Sequence, residues 1–542
     1  MSDPVAVEIL SRFEKAKSNR LNWESYWQEV SEYVMPNMSN TFFEGGYPLA
    51  KAQKRDRKRV DGSAEIALDR HTSAMESMLT PRNARWHTIS TDNHELNKIR
   101  AVRDYFDLAT DVLFKYRYSS KANFSSQIYE HYQSLGAFGT GATYIDKLTP
   151  RGFRYAHIHI AQVYFYENHQ GQIDEAMRGP IKISARNALA QFTDVNGSNS
   201  LPDEIVKAAS EEPHTMFDFI HCVKPNDDID ASKKDYRGMP FISYYVSIKH
   251  NVTVLVEGFN TFPYVISRYV TAPGEVYGRS PAMKALSNIK VLNEQKKTIL
   301  KQGHRAVDPV LLAHDDGVLD SFSLRPGAIN TGAMSSDGKR LVDVLPTGNI
   351  SVGDAMMNIE REEIAAAFMT DLFQIFMDRP QMTATEVTEL AREKGILLSP
   401  IMGRQESEFL GPMIEREMDL AAMQGLLPPP PQELIDAGGE YTIVFDSPLS
   451  RAQKAEAAAG LMRTVGWAAE IAGITQNPEP LDHFNWDAII PELSMIQAVP
   501  GRWMATAEQL QAIRGGREQA ASMQQVIEAG PTIAAITKQQ RQ

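Results

Sequence analysis

The residues best equipped for chemistry in this chain are scattered rather than gathered. Of its 13 histidines, His157 and His159 alternate, and on a strand that spacing places both imidazoles on one face, as a metal site needs. No carboxylate or third ligand lies near them in sequence, so no metal is expected. Cys222 is the one cysteine, which rules out an internal disulfide and fits a reducing compartment. Beside His221 it has the look of a nucleophile, but a buried structural thiol is the stronger expectation. Glu360, Glu362 and Glu363 offer acid–base groups, although three acids on one long helix read better as a solvated surface. Gly136-Ala137-Phe138-Gly139-Thr140-Gly141 has the glycine density of a phosphate loop. Such a loop needs a Lys-Ser or Lys-Thr pair opening a helix, and here Ala142-Thr143-Tyr144-Ile145 opens a strand. It is read as a tight helix-to-strand connection. No catalytic residue, cofactor or metal is expected.

Charge narrows the choice further. The formal net charge is −12 over 542 residues, which disfavours gripping nucleic acid by phosphate neutralisation. It leaves open a surface past which nucleic acid slides. Lys51 to Arg59 holds six basic residues in nine, either a solvated face or a contact for DNA or an acidic partner. No apolar run reaches the roughly eighteen residues of a membrane span. Met1–Leu10 has acidic residues and no basic start, so no signal peptide is expected.

A chain of this length buries several small cores, and its pattern is that of an α+β fold. Ile9, Phe13 and Ala16, then Trp23, Trp27, Val30 and Val34, repeat at helical spacing until Pro36. Helices are expected over Ala64–Leu79, Glu95–Tyr118 and Phe124–Leu135, the last ending in Gly136. Trp86 leads into a strand, His87–Ser90. Val163–Tyr166 and Ile173–Ala176 flank a turn, and Ile242–Ile248 with Val252–Val256 form a second hairpin, Phe262–Tyr269 lying beside them. Between the hairpins, Asn187–Ala209 is helical and broken at Asn196–Asn199.

Ser280 as N-cap and Pro281 as first helical residue open a long amphipathic helix striped by Leu286, Ile289, Leu292 and Ile299 and terminated by Gly303. Short strands follow at Pro309–Ala313 and Leu341–Leu345. A second long helix covers Asp354–Met377, with Ile364, Phe368, Leu372 and Phe376 spaced by four. Asp378-Arg379-Pro380-Gln381-Met382 breaks it, and a capping box from Thr383 to Glu386 opens a third helix to Leu398. That helix resumes over Pro400–Gln424, kinked at Pro400 and Pro412. Pro428–Pro431 is a stiff connector before a strand, Tyr441–Phe445. Arg451–Gln542 is helical, with breaks at Gly473, Asn477-Pro478, Pro491, Pro500-Gly501 and Gly530-Pro531.

This order of segments resembles the podovirus-type phage head-to-tail connector (portal) protein family over roughly residues 5 to 445. The strings that carry the likeness are Trp23–Pro36, Pro81 to Trp86, and Gly139–Ile145. With them stand Phe262-Pro263-Tyr264-Val265-Ile266-Ser267-Arg268, then Gly274-Glu275-Val276-Tyr277-Gly278-Arg279-Ser280-Pro281, and the helix start at Met382–Val387. The resemblance implies a ring of about twelve subunits at one capsid vertex of the virion, assembled in the host cytoplasm. Its wing would be residues 1–276 and 383–450, its stem helices 277–303 and 353–377, its clip 304–352, its channel or tunnel loop 378–382, and its crown 451–542. Implied partners are a terminase motor, tail adaptor proteins, capsid and scaffolding proteins, and double-stranded DNA passing through; no membrane is implied.

In such a ring, about twelve copies would carry a charge of roughly −144, a wall that repels phosphate. Asp378, Arg379, Pro380, Gln381 and Met382 would then either form a plain helix–helix turn or, as expected here, project into the lumen. Arg379 would be one cationic contact per subunit, weak and salt-sensitive. Lys296, Lys297 and Lys301 would face DNA or, equally, form inter-subunit salt bridges. The alternatives are a DNA-packaging or DNA-processing enzyme subunit, which lacks its Gly-Lys-Ser/Thr loop here, and a virion adaptor binding protein only.

Overall fold

The computed structural model describes residues 3–36, 42, 58–82, 84–193, 198–230, 232–313, 323–346, 348, 350–370, 400–445, 448–475, 479–496, 504–505, 509–517 and 519–520. They divide into two compact units. The first draws on Met1–Ser77, Ser119–Val387 and Leu397–Leu420, the second on Met78–Tyr118, Thr388–Ile396 and Ala421–Gln542.

In the first unit, helix α1 (Pro4–Val34) begins where the sequence signals it. The Asp3 carboxylate accepts from the Val5 N–H at 3.0 Å and Pro4 fills the first turn. Its two apolar stretches enter different cores. Ala6, Ile9, Phe13 and Ala16 pack with Tyr164, Met177, Ile220 and Cys222, while Trp27, Val30 and Val34 join the largest cluster with Phe138, Tyr264 and Leu286. Arg20 lies between them, 1% exposed. Its guanidinium donates to the carbonyls of Ile160, Ala161 and Val163 and to Glu24, which satisfies a charge that burial would otherwise penalise.

Two sheets follow. Strands β4 (Val163–Glu167), β5 (Ile173–Ser184), β6 (Met216–Pro225), β7 (Phe241–Ser247) and β8 (Val252–Phe259) make a five-stranded antiparallel sheet in chain order. Strands β2 (Thr140–Lys147), β3 (Phe153–His157) and β9 (Tyr264–Arg268) make the other, in the order β3-β2-β9. Sequence periodicity placed β9 beside the second hairpin; it pairs instead with β2, Thr140 opposite Arg268 and Tyr144 opposite Tyr264. The reason is cover: all five residues of β9 are buried, which demands packing on both faces, and the half-exposed β8 has no such site. Helix α2 (Ser63–Leu79) agrees with expectation to within one residue at its start. Helix α5 (Phe124–Phe138) runs past Gly136, because that glycine admits Leu68 and His71 rather than ending the helix; an added Cβ would lie 2.7 Å from Leu68 Cδ1. The stop is Gly139, left-handed at φ 76°. The expected helical stretch between the hairpins is α6 (Ala185–Phe192) and α7 (Asp203–Glu211).

Helix 400–423 contains a π-turn at Glu406–Leu410, just before Gly411-Pro412. Pro412 has no N–H to donate, and the widened turn, in which the Gly411 N–H reaches the Glu406 carbonyl, absorbs the loss. The third-helix segment 383–398 lies outside the described residues. Below the π-turn, Gln405 bonds Ser267 and the Arg268 carbonyl, Phe409 stacks on His131 at 3.9 Å, and buried Arg268 is held by Glu408 and Glu167.

In the second unit, β1 (His87–Ser90) pairs antiparallel with Thr442–Phe445. The expected single helix over Glu95–Tyr118 is two, α3 (His94–Lys98) and α4 (Arg100–Arg117), separated by extended Ile99. Val102, Phe106, Ala109 and Leu113 form the buried stripe of α4. Arg117 lies 4.6 Å over the Trp86 ring and His87 stacks on Phe114 at 4.8 Å. Helices Pro448–Thr475 and Trp486–Ile496 run through Gly473 and Pro491, which were expected to break them. A glycine costs a helix only about 1 kcal/mol, and the proline sacrifices one backbone bond.

Candidate functional site: the long helix pair

Helix α8 (Pro281–Val307) starts as its sequence dictates. The Ser280 hydroxyl accepts from the Met283 N–H at 2.9 Å and donates to the Ala137 carbonyl at 2.8 Å, so one cap both begins the helix and ties it to α5. Just before it, Gly278 lies against Gly139. A Cβ on either would fall within 2.3 Å of the other's carbonyl oxygen, and the Gly278 N–H donates to Thr140 Oγ1 at 3.0 Å. Two of the strings that suggested the family are thus in direct backbone contact, and only glycine fits at either place. Helix α8 passes through Gly303, where a Cβ would meet nothing within 4 Å, and ends at Asp308. The proline that follows, Pro309, disfavours helical geometry in the residue before it.

Helix α9 (Ile350–Ala367) starts four residues before the expected Asp354 and is interrupted by a turn at Phe368–Met369; Thr370 is helical again, and the rest of the expected helix, 371–377, lies outside the described residues. It packs antiparallel on α8. Asn288 bonds Glu363 near one end, Gly353 admits Ile299 with Cδ1 2.7 Å from where a Cβ would stand, and Gly348 faces the Gln302 side chain near the other. Leu286, Ile289 and Leu292 of α8 share the main core with Met357, Ile364 and Phe368. Between the two helices the chain makes a small antiparallel ladder, β10 (Leu311–Ala313) with β11 (Val342–Val344).

Asp61 fastens both helices. Its carboxylate, 4% exposed as a residue, takes Lys296 Nζ of α8 at 2.9 Å, Arg361 Nη2 of α9 at 3.0 Å and the Ser63 N–H at 2.8 Å. Asn293 of α8 accepts from the Val60 and Asp61 N–H groups. Burial pushes the Asp61 carboxyl upward, but the bonds from Ser63, Lys296 and Arg361 outweigh it and hold the group far below the usual carboxylate range. Lys296, a candidate for facing DNA or a neighbouring subunit, is therefore engaged within its own chain. Lys297 pairs with Glu294 at 2.6 Å on the half-exposed side, and Lys301 is exposed. Asp378, Arg379, Pro380, Gln381 and Met382 lie outside the described residues.

Helix α9 also presents apolar residues on its exposed face. Val352, Met356 and Ile359 of α9, spaced i, i+4, i+7, are 56%, 50% and 57% exposed. They form a second stripe, distinct from the Met357, Ile364 and Phe368 stripe that faces the core.

The other sequence candidates fall elsewhere. His157 ends β3, while His159 is off the strand and its Nδ1 caps Ile160–Gln162, so the two do not share a strand face. Among the described residues no three His, Cys, Asp or Glu side chains gather as a metal set. Cys222 is buried, and burial pushes its thiol up to about 12. Of the acids on α9, Glu362 and Glu363 are exposed and Glu360 is partly so. No described helix is long and apolar enough to cross a membrane. Sequence reasoning missed Asp61: a lone acid in a coil shows no periodicity that would reveal two partners more than 230 positions away.

The helix pair is thus capped by Ser280, fastened by Asp61 and, among the described residues, carries an exposed apolar stripe on α9. The chain belongs to the bacteriophage head to tail connecting protein family, whose model matches residues 6–504. It is 27% identical over 97% of its length to a protein of Bordetella phage BPP-1 named a probable portal protein, covering 94% of that protein. It is 26% identical over 98% of its length to the portal protein of Salmonella phage epsilon15, covering 95% of it. Among solved structures, one chain from the neck of an empty GTA particle computed with C6 symmetry matches 68% of this chain and 78% of its own length. Its identity is 11% and its TM-score 0.31, a likeness too distant to bear on function.

Proposed function

We propose that this chain is a portal subunit: copies form a ring, of about twelve, at one capsid vertex, and double-stranded DNA passes through it during packaging and ejection. The ring docks the terminase motor, then tail adaptor proteins, with capsid and scaffolding proteins around it. The assignment of residues 1–276 and 383–450 to a wing, 277–303 and 353–377 to a stem, 304–352 to a clip and 451–542 to a crown belongs to the same reading. So does the channel loop at 378–382. The observation that carries the ring is the exposed Val352, Met356 and Ile359 stripe on α9, whose natural cover is a neighbouring copy of the same helix pair. The antiparallel α8 and α9 bracketing a small two-stranded ladder supports the stem and clip.

Size-exclusion chromatography with negative-stain imaging tests this reading. The expected particle is a ring of several hundred kilodaltons with a central hole, about twelve times the chain mass. A monomer of 60.6 kDa at micromolar concentration, or one that hydrolyses ATP or cuts DNA, would refute it. For the loop, Arg379→Ala is expected to leave ring assembly intact while reducing genome packaging or retention. Genome-filled particles at wild-type yield would remove that role from Arg379.

A further inference from the structure

Helix α9 breaks where its sequence does not ask it to, at Phe368–Met369, before Thr370 is helical again. Ile364-Ala365-Ala366-Ala367-Phe368-Met369-Thr370 contains neither glycine nor proline, and alanine and methionine are among the better helix formers. Yet Met369 stands at φ 56°, the left-handed region that the Cβ of a non-glycine residue opposes. Specific contacts hold this turn. The carbonyl of Phe368, a residue with no exposed surface, meets His71 Nδ1 at 2.9 Å. The Thr370 hydroxyl turns back to the Ala365 carbonyl at 3.1 Å, and the Met369 N–H bonds Ala366 three residues back rather than four.

His71, on α2, has little room to move. It is 0% exposed, packed edge-on to Tyr269 and Phe368, and a Cβ at Gly136 would come within 3.2 Å of its ring. The Phe368 oxygen can only accept, so Nδ1 carries the proton. The other ring nitrogen, Nε2, is buried and has no partner among the described residues. A polar atom left unsatisfied costs stability, which is understandable if the position is kept for what Nδ1 does.

We propose that His71 is a positioning residue that breaks the helix at Phe368–Met369 and thereby sets the direction in which the chain resumes at Thr370. Its role in DNA passage rests on the portal reading given above; its role in breaking the helix does not. His71→Leu removes the donor and keeps an apolar side chain, whereas His71→Asn keeps an N–H near the place of Nδ1. Met369→Ile, which the left-handed region tolerates poorly, attacks the same turn without touching the histidine pocket.

The test compares the three variants with wild type by cryo-electron microscopy at side-chain resolution and by DNA packaged per particle. In His71→Leu and Met369→Ile, Met369 or its replacement is expected to turn right-handed, with the Thr370 N–H on the Ala366 carbonyl. Packaging is expected to fall about tenfold while rings still form, and His71→Asn should stay within about twofold of wild type. A left-handed residue 369 in both His71→Leu and Met369→Ile overturns the proposal. So does a right-handed one with normal packaging, or failure of His71→Asn to restore it. If wild type forms no ring, the portal reading falls instead, and the conformation of Met369 in the isolated variants still decides the helix break.

Discussion

Taking the purified protein from pH 7.5 to pH 5 is expected to lower its melting temperature by about 10 °C. Among the described residues four histidines have essentially no exposed surface: His71, His131 and His221 in the first unit and His87 in the second. Burial disfavours their charged forms. It lowers His71 to about 4 and His221 to about 3, with Arg178 adding to the latter, and takes His87 and His131 well below the ordinary imidazole range. The unfolded chain protonates these rings near 6.5 while the folded chain does not, so the unfolded state binds more protons throughout that interval. The stability they contribute is complete above pH 6.5 and is lost as pH falls toward the folded values. By pH 5 His71 and His221 have each given up roughly 2 kcal/mol, and His131 adds a loss of the same sign, which together is a large part of a domain's whole stability. Buried Glu175 and the more exposed Glu130 and Glu257, all raised by desolvation, act in the opposite sense and recover part of this as pH falls through their raised values. His131→Gln separates the two contributions. An amide there can still bond Thr143 and Ser267, which lie 2.9 Å from the ring nitrogens, and the slope between pH 6.5 and 5 should shrink by about one proton. A melting temperature that is flat across this range, measured by circular dichroism, would show that these rings are hydrated or already charged.

What the sequence revealed and what it hid divides along a physical line. Helix α8 was legible because its start depends on adjacent residues, Ser280 and Pro281, and its stripe on spacing alone. The short strands at β10 and β11 and an irregularity at Pro412 were legible for the same local reason, whereas the pairing of those strands and the π-turn form of the irregularity were not. Sheet membership was not: whether β9 joins β8 or β2 depends on which face has cover, a tertiary fact. The break of the helix after Ala367 was hidden because a histidine 297 positions away imposes it against the local preference. Buried Arg20, Arg268 and Arg416 carry the composition of surface residues and reveal themselves only through the carbonyls and carboxylates around them. The central elements of the helix pair were therefore readable, whereas the groups that fasten it, Asp61 and His71, were not.

Replacing Met356 and Ile359 together by glutamate is expected to convert rings into monomers while leaving the folded chain intact. Both side chains are at least half exposed, so in the isolated subunit the change acts on a solvated surface and alters stability by about 0.5 kcal/mol or less per site. At a contact between copies the same positions are the centre of an apolar stripe, and each introduced carboxylate must be desolvated without a partner. A cost of about 3 kcal/mol for each gives about 6 kcal/mol per contact, which weakens association roughly ten-thousandfold. In a closed ring every subunit presents the stripe, so the penalty recurs at each joint and no geometry spares one interface. The double variant should elute at the monomer position, with an unchanged circular dichroism spectrum and a melting temperature matching that of wild-type monomer. Intact rings of the double variant would place the subunit contact on another face of the helix pair and remove the ground on which the stripe was assigned to it. Glu362→Gln, a change of charge outside the stripe, should leave the ring unaltered and so separates a general charge effect from burial of the stripe itself.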